Sequence, residues 1–153
     1  MPAEKAVMPA DRTPAAGGWD TPPVAAVRPD TFAALLGIET RRLADGVAEA
    51  EVTVGPDHLN PHGTAHGTLL YALGGIALAA AANDEQHSGL VSSVHVDYLR
   101  PAHRGDRLVA RAELAERTAR EDLFVVRVLR TPDDELVARL SGRASRRARR
   151  EAG

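Results

Sequence analysis

The sequence predicts an α+β domain in which one antiparallel sheet wraps around a long central helix. Three observations predict it. Residues 66–82 are apolar on nearly every side, so a helix there must be covered from several directions. Downstream lie four strand-like runs, Gly89 to Leu99, Arg107 to Arg117, Asp122 to Thr131 and Glu135 to Arg146, with brief turns between them, the pattern of an antiparallel meander. Upstream, two shorter runs flank Ala44-Asp45-Gly46, the pattern of a hairpin.

Taken in chain order, Asp30 is placed to cap a short helix, Thr31 to Leu36, that Gly37 ends. Ile38 to Leu43 reads as the first strand of the hairpin. In the second, Val47, Glu49, Glu51 and Thr53 face one way against Ala48, Ala50, Val52 and Val54. A polar loop, Gly55 to Ala65, carries Pro56, Pro61 and Gly63 and delivers the chain to the helix, about His66 to Ala82. Residues 1–28, rich in Pro, Ala and Gly with a lone Trp19, are expected to be a disordered arm; residues 29–147 form the domain, and 148–153 a disordered tail. A single sheet covers only part of an all-apolar helix, so a second copy of the chain is expected to cover the rest in a homodimer or homotetramer.

Composition removes several function classes. The formal charge of -2 gives no reason to expect nucleic acid, two Phe, two Tyr and one Trp among 153 residues are too few for a stacking surface, and the terminal Arg143 to Arg150 run reads as a frayed, solvated end. There is no cysteine, hence no disulfide, thiolate metal site or cysteine nucleophile. No Gly-x-Gly-x-x-Gly or Walker-type loop occurs. The Ala- and Gly-rich helix reads as buried core rather than a membrane span, and the N-terminus lacks the apolar stretch of a secretory signal, which fits a cytoplasmic setting. His58, His62 and His66 recur every four residues, but Pro61 and Gly63 break the helix that would align them, so no metal site is expected.

Chemistry concentrates where the loop meets the helix: His58-Leu59-Asn60-Pro61-His62-Gly63-Thr64-Ala65-His66-Gly67-Thr68. A helix N-terminus presents unpaired amides and a partial positive charge. The amides of Gly67 and Thr68 sit where they can polarise a carbonyl and hold a forming oxyanion. Glycine at 67 allows a ligand close to the backbone. Asn60 can orient a water or a carbonyl, and His66 can brace the loop.

This segment resembles the PaaI-type hotdog-fold acyl-CoA thioesterases, which carry an Asn and then His-Gly-Gly at the start of the central helix. Asn60, His66 and Gly67 match, and Thr68 replaces the second glycine. Asp97-Tyr98-Leu99-Arg100-Pro101 and Gly105-Asp106 resemble further family elements, and the likeness spans roughly residues 32–147. The resemblance implies a hotdog fold, hydrolysis of an acyl-CoA to acid and coenzyme A, no cofactor beyond the coenzyme A of the substrate, and active sites shared across a dimer.

The family also carries an Asp or Glu two turns into the helix, acting as base or nucleophile. That position is Gly75 here, and no acid occurs between His66 and Asn83. Eight residues separate 67 from 75, roughly 12 Å along a helix, so a carboxylate at 75 would serve the partner's helix opening, not its own. Three readings stand. Ser93, His95 and Asp97, on one face of the next strand, can supply another base, although spacing alone does not show reach to a substrate and the preferred reading of His95 and Asp97 is as polar surface or interface residues. Alternatively, the protein binds a thioester without hydrolysing it, or catalyses enolisation, dehydration or cyclisation, which need only carbonyl polarisation. Or Gly74-Gly75 makes room for a neighbouring backbone or a bulky acyl group. Arg100, His103, Arg104 and Arg107 form a basic turn suited to the phosphates of coenzyme A or to plain solvation, with Ser92 and Ser93 nearby in sequence as further contacts. Neither the acyl group nor the choice between coenzyme A and an acyl-carrier protein is encoded legibly.

Overall fold

The computed structural model describes residues 29–150, so the expected N-terminal arm with Trp19 and the last three residues lie outside the described residues. Helix α1, Thr31–Leu36, is capped as expected: the Asp30 carboxylate accepts from the Ala33 N–H at 2.8 Å, and Gly37, at φ 72°, ends the helix in the left-handed region. Strands β1 (Glu39–Ala44) and β2 (Val47–Thr53) form the hairpin. Ile38, expected as the first strand residue, instead packs into the core ahead of it. The second-strand alternation decides the inner face: Ala48, Ala50, Val52 and Val54 are all buried.

A 3-10 turn, Pro56–His58, interrupts the polar loop before helix α2, Gly67–Ala82. After it come β3 (His87–Ser88), β4 (Val91–Tyr98), β5 (Arg107–Arg117), β6 (Glu121–Thr131), β7 (Glu135–Ser145) and β8 (Arg147–Ala148). Six strands make one antiparallel sheet in the order β1-β2-β5-β6-β7-β4, with β1 and β4 at its edges. The chain leaves β2, runs through α2 across the concave face, and returns at the opposite edge as β4. Leu69, Leu70, Leu73, Ala77, Leu78 and Ala81 of α2 are buried against Val52, Leu108, Ala110, Val126 and Leu140 of the sheet. Each buried leucine contributes roughly 2 kcal/mol of apolar transfer, so this layer holds the helix in place.

The domain runs past its expected boundary at 147. His87 pairs with Ala148, and the Arg149 N–H donates to the Gln86 carbonyl at 2.8 Å. The terminal arginine run is therefore tied down rather than frayed: Arg146 bonds Asp122, a carboxylate only 3 % exposed, and Arg149 bonds Asn83 and the Asp84 carbonyl. The polar side of β2 departs from simple exposure too. Glu49 is buried at 2 % exposure because Arg41 and Arg111, on the neighbouring strands, close over it as ion partners.

Candidate functional site

The loop that positions the start of α2 is fastened residue by residue. The His58 ring accepts the Gly55 N–H at Nδ1 (2.9 Å), so its proton sits on Nε2 and is donated to the Leu36 carbonyl, also at 2.9 Å. That imidazole ties the 3-10 turn to the end of α1. Asn60 closes the next four residues: its Oδ1 accepts from the N–H groups of His62 (2.9 Å) and Thr64 (3.2 Å), and its Nδ2 donates to Thr64 Oγ1 at 2.8 Å. The residue expected to orient a ligand thus has a first task inside its own loop, the Asx-turn bonding natural to asparagine.

His66 is the N-cap of α2. Its Nδ1 accepts the Thr68 N–H at 3.0 Å, and its carbonyl accepts from Leu69 at 2.9 Å. A ring nitrogen that accepts carries no proton, so the ring N–H of this imidazole is on Nε2. The Thr68 amide is consequently spoken for, whereas the Gly67 amide makes no hydrogen bond among the described residues. Of the two expected carbonyl-polarising amides, the structure leaves Gly67 open.

Two clefts flank this opening. One, of about 340 Å³, is lined by Asn60, Gly67, Tyr98, Leu99, Arg100 and Ala102 among others. The Tyr98 phenol donates to the Gly67 carbonyl at 2.9 Å there. The second, of about 290 Å³, lies between α1 and α2, with Phe32, Leu36, Leu59, Leu69 and Ala72 as apolar wall and Asp57, His66 and Thr68 as polar groups.

Gly74 and Gly75 have opposite surroundings. A Cβ on Gly74 would stand 2.6 Å from both Cδ atoms of buried Leu140, whereas one on Gly75 would meet nothing within 4 Å. The crowding expected for the pair belongs to Gly74. Gly75 lies on the uncovered side of α2, where Tyr71 is 44 % exposed and Ala72, Ile76 and Ala79 are half-buried.

Ser93, His95 and Asp97 do share a strand face, but it is the face turned away from α2. Their cross-strand partners are the exposed Arg143, Ser141 and Arg139, while Val94 and Val96 point to the core. His95 Nε2 and Asp97 Oδ1 are 3.0 Å apart, and the hydrogen bond from His95 holds the Asp97 carboxyl below its ordinary range, with Arg139 assisting. Within one chain this pair does not reach the helix opening. The hydroxyls of Ser92 and Ser93 are occupied with Arg143.

In the basic turn, Arg100 donates to the Leu136 carbonyl and pairs with Glu135 at 3.0 Å, and Arg107 pairs with Glu51. Arg104 has no ion pair or hydrogen bond among the described residues. Among the described residues no group of three His, Asp or Glu side chains is arranged to hold a metal, and no helix is long and apolar enough to cross a membrane. Sequence reasoning missed two groups, Asp57 and Tyr98. The period-two count along β4 that puts Tyr98 on the face of Val94 and Val96 was available for the second.

An antiparallel sheet wrapped on one long helix is the hotdog fold. The chain belongs to the thioesterase superfamily, in its PaaI-type hotdog branch. The superfamily model matches residues 62–137. A protein of Deinococcus radiodurans that carries an esterase name is 32 % identical over 139 residues, covering 87 % of this chain and 94 % of that one. The acyl-coenzyme A thioesterase PaaI of Escherichia coli is 29 % identical over 117 residues, covering 76 % of this chain and 83 % of its own. Its structure superposes with a TM-score of 0.73. A mutant of the phenylacetic acid degradation protein PaaI from Thermus thermophilus is 37 % identical, covers 76 % of this chain and 98 % of its own, and superposes with a TM-score of 0.71.

Proposed function

We propose that the protein hydrolyses an acyl-CoA thioester to the free acid and coenzyme A, at the opening of α2. The observation that carries this reading is the Gly67 amide, unpartnered among the described residues, at the N-terminus of a 16-residue helix beside clefts of about 340 and 290 Å³. The thioester oxygen accepts from that N–H, and the helix dipole favours the negative charge that gathers on it as water adds. The C–S bond then breaks, and the thiolate leaves and takes up a proton. The acyl-CoA thioesterase name of the E. coli relative supports coenzyme A as the carrier. Arg104, the arginine of the basic turn without a partner among the described residues, suits its phosphates. A second copy of the chain covers the uncovered side of α2 around Tyr71, Ala72 and Gly75.

One observation favours a second reading: α2 carries no carboxylate, and the family's position for it is an open Gly75. On that reading the protein binds the thioester, or polarises its carbonyl for enolisation or dehydration, without adding water. A panel of aliphatic and aryl acyl-CoAs, with coenzyme A release followed by a thiol reagent and binding by calorimetry, separates the two. Turnover of at least one acyl-CoA is expected; saturable binding with no thiol release from any member would replace hydrolysis by the second reading.

A further inference from the structure

The thioesterase reading requires a group that takes a proton from water, and among the side chains that one chain contributes to the two clefts there is a single carboxylate. The Tyr98 hydroxyl donates to Gly67, and Asn60 and Arg100 have no basic lone pair to offer. His58 has both ring nitrogens engaged, one accepting from Gly55 and one donating to Leu36. The acceptor nitrogen of His66 is held by the Thr68 N–H, which leaves that ring a donor toward the cleft. His95 and Asp97 lie on the other face of the sheet. Asp57 remains. It is an exposed carboxylate that accepts no hydrogen bond and forms no ion pair among the described residues, and it lines the same cleft as His66 and Thr68.

We propose that Asp57 is the catalytic base of this protein, supplying from the loop the carboxylate that α2 lacks at Gly75. The inference rests on the hydrolytic reading given above. The Asp57 carboxylate accepts a proton from a water in the cleft between α1 and α2. The hydroxide equivalent adds to the thioester carbon, the C–S electrons leave with sulfur, and the proton held by Asp57 passes to the thiolate, so the carboxylate is regenerated. The residue is placed by a rigid frame, not by its own bonds: Pro56 fixes the backbone before it, and the doubly bonded His58 anchors the backbone after it. The apolar wall of Phe32, Leu36, Leu59 and Leu69 excludes bulk water from the attacking side once an acyl group lies against it.

The test compares the wild type with Asp57→Asn on the best substrate of the acyl-CoA panel, reading kcat by thiol release, acyl-CoA affinity by calorimetry, and the unfolding temperature. Loss of a positioned general base removes on the order of 100-fold or more in rate. The expected result is a fall in kcat of at least about 100-fold, with affinity within about twofold of wild type and unchanged unfolding. Thiol release by the variant at the wild-type rate overturns the assignment and leaves the thioesterase reading standing. Loss of acyl-CoA binding in the variant also overturns it, because the side chain would then be a binding group. A wild type that releases thiol from no acyl-CoA overturns this assignment together with the hydrolytic reading on which it rests.

Discussion

The phenol of Tyr98 donates to the carbonyl of Gly67 at 2.9 Å, and its ring stands where a Cβ on residue 67 would project, 3.1 Å from the nearest ring atom. The same peptide unit, Gly67 carbonyl and Thr68 N–H, is held at its other end by His66 Nδ1. One end of β4 and the N-cap of α2 thus clamp a single peptide group, and the open Gly67 amide is aimed by that clamp.

Gly67→Ala forces a Cβ against the Tyr98 ring and moves both. Tyr98 is 52 % exposed and can swing into solvent, so the unfolding temperature should shift by only a few degrees. Hydrolysis should fall at least about tenfold, because an oxyanion donor works only when held within a fraction of an ångström of its position. Steady-state kinetics beside thermal unfolding checks this; a variant as active as wild type would show that the Tyr98 contact does not aim the Gly67 amide.

His66→Ala removes the N-cap acceptor and should cost about 1 kcal/mol, whereas His66→Asn supplies an oxygen in its place and should stay within a few tenths. Urea unfolding of the two variants reads the difference. Equal loss in both would mean that the bond to Thr68 does not stabilise α2.

The two central glycines should answer substitution in opposite ways. Gly74→Ala places a methyl 2.6 Å from Leu140, itself 1 % exposed, so the overpacking cost of about 1–3 kcal/mol outweighs the gain of about 1 kcal/mol in helix propensity. Gly75→Ala meets open space within the chain and should be neutral or stabilising. Gly75→Asp should raise acyl-CoA hydrolysis by presenting a carboxylate to the partner's helix opening; unchanged hydrolysis in a folded variant that still binds acyl-CoA would count against that placement.

Much of this architecture is legible from residue types. Asp30 and Gly37 mark the ends of α1, and the Ala48-Ala50-Val52-Val54 alternation names the inner face of β2. Local rules suffice there because the partners are close in sequence. The sheet order, which sends β4 to the far edge beside β7, is set by packing around α2 and has no local signature. For the site, the loop and helix start were readable from Asn60, His66 and Gly67, but the bonds that assign their tasks were not. Thr68 looks like a second open amide until the His66 ring is seen to occupy it. The His95-Asp97 spacing is right for a catalytic pair, yet the strand turns it outward. Asp57 sits in a Pro-Asp-His turn where an acid usually just faces water; only its place in the cleft singles it out.

Acid should weaken the joint between the β1–β2 turn and the far end of β5. The Arg117 hydrogen bond, with charges on Arg117, Arg42 and Arg146, holds the Asp45 carboxyl below its ordinary range. A carboxyl depressed in the folded state stabilises above its unfolded value, about 3.9, and that contribution disappears as pH falls through the folded value. Asp45 is 64 % exposed, so the effect is small and fades with salt. Urea midpoints of wild type and Asp45→Asn should differ near pH 6, and the gap should narrow as pH falls below about 3.9; a gap that stays constant into that acid range would contradict the pairing.

The most direct measurement is a crystal structure of the protein with a non-hydrolysable ketone analogue of its best acyl-CoA substrate. The account predicts the analogue's carbonyl oxygen within hydrogen-bonding distance, roughly 2.7–3.2 Å, of the Gly67 nitrogen. A carbonyl oxygen bound elsewhere, with the Gly67 amide facing solvent or another protein group, would contradict it.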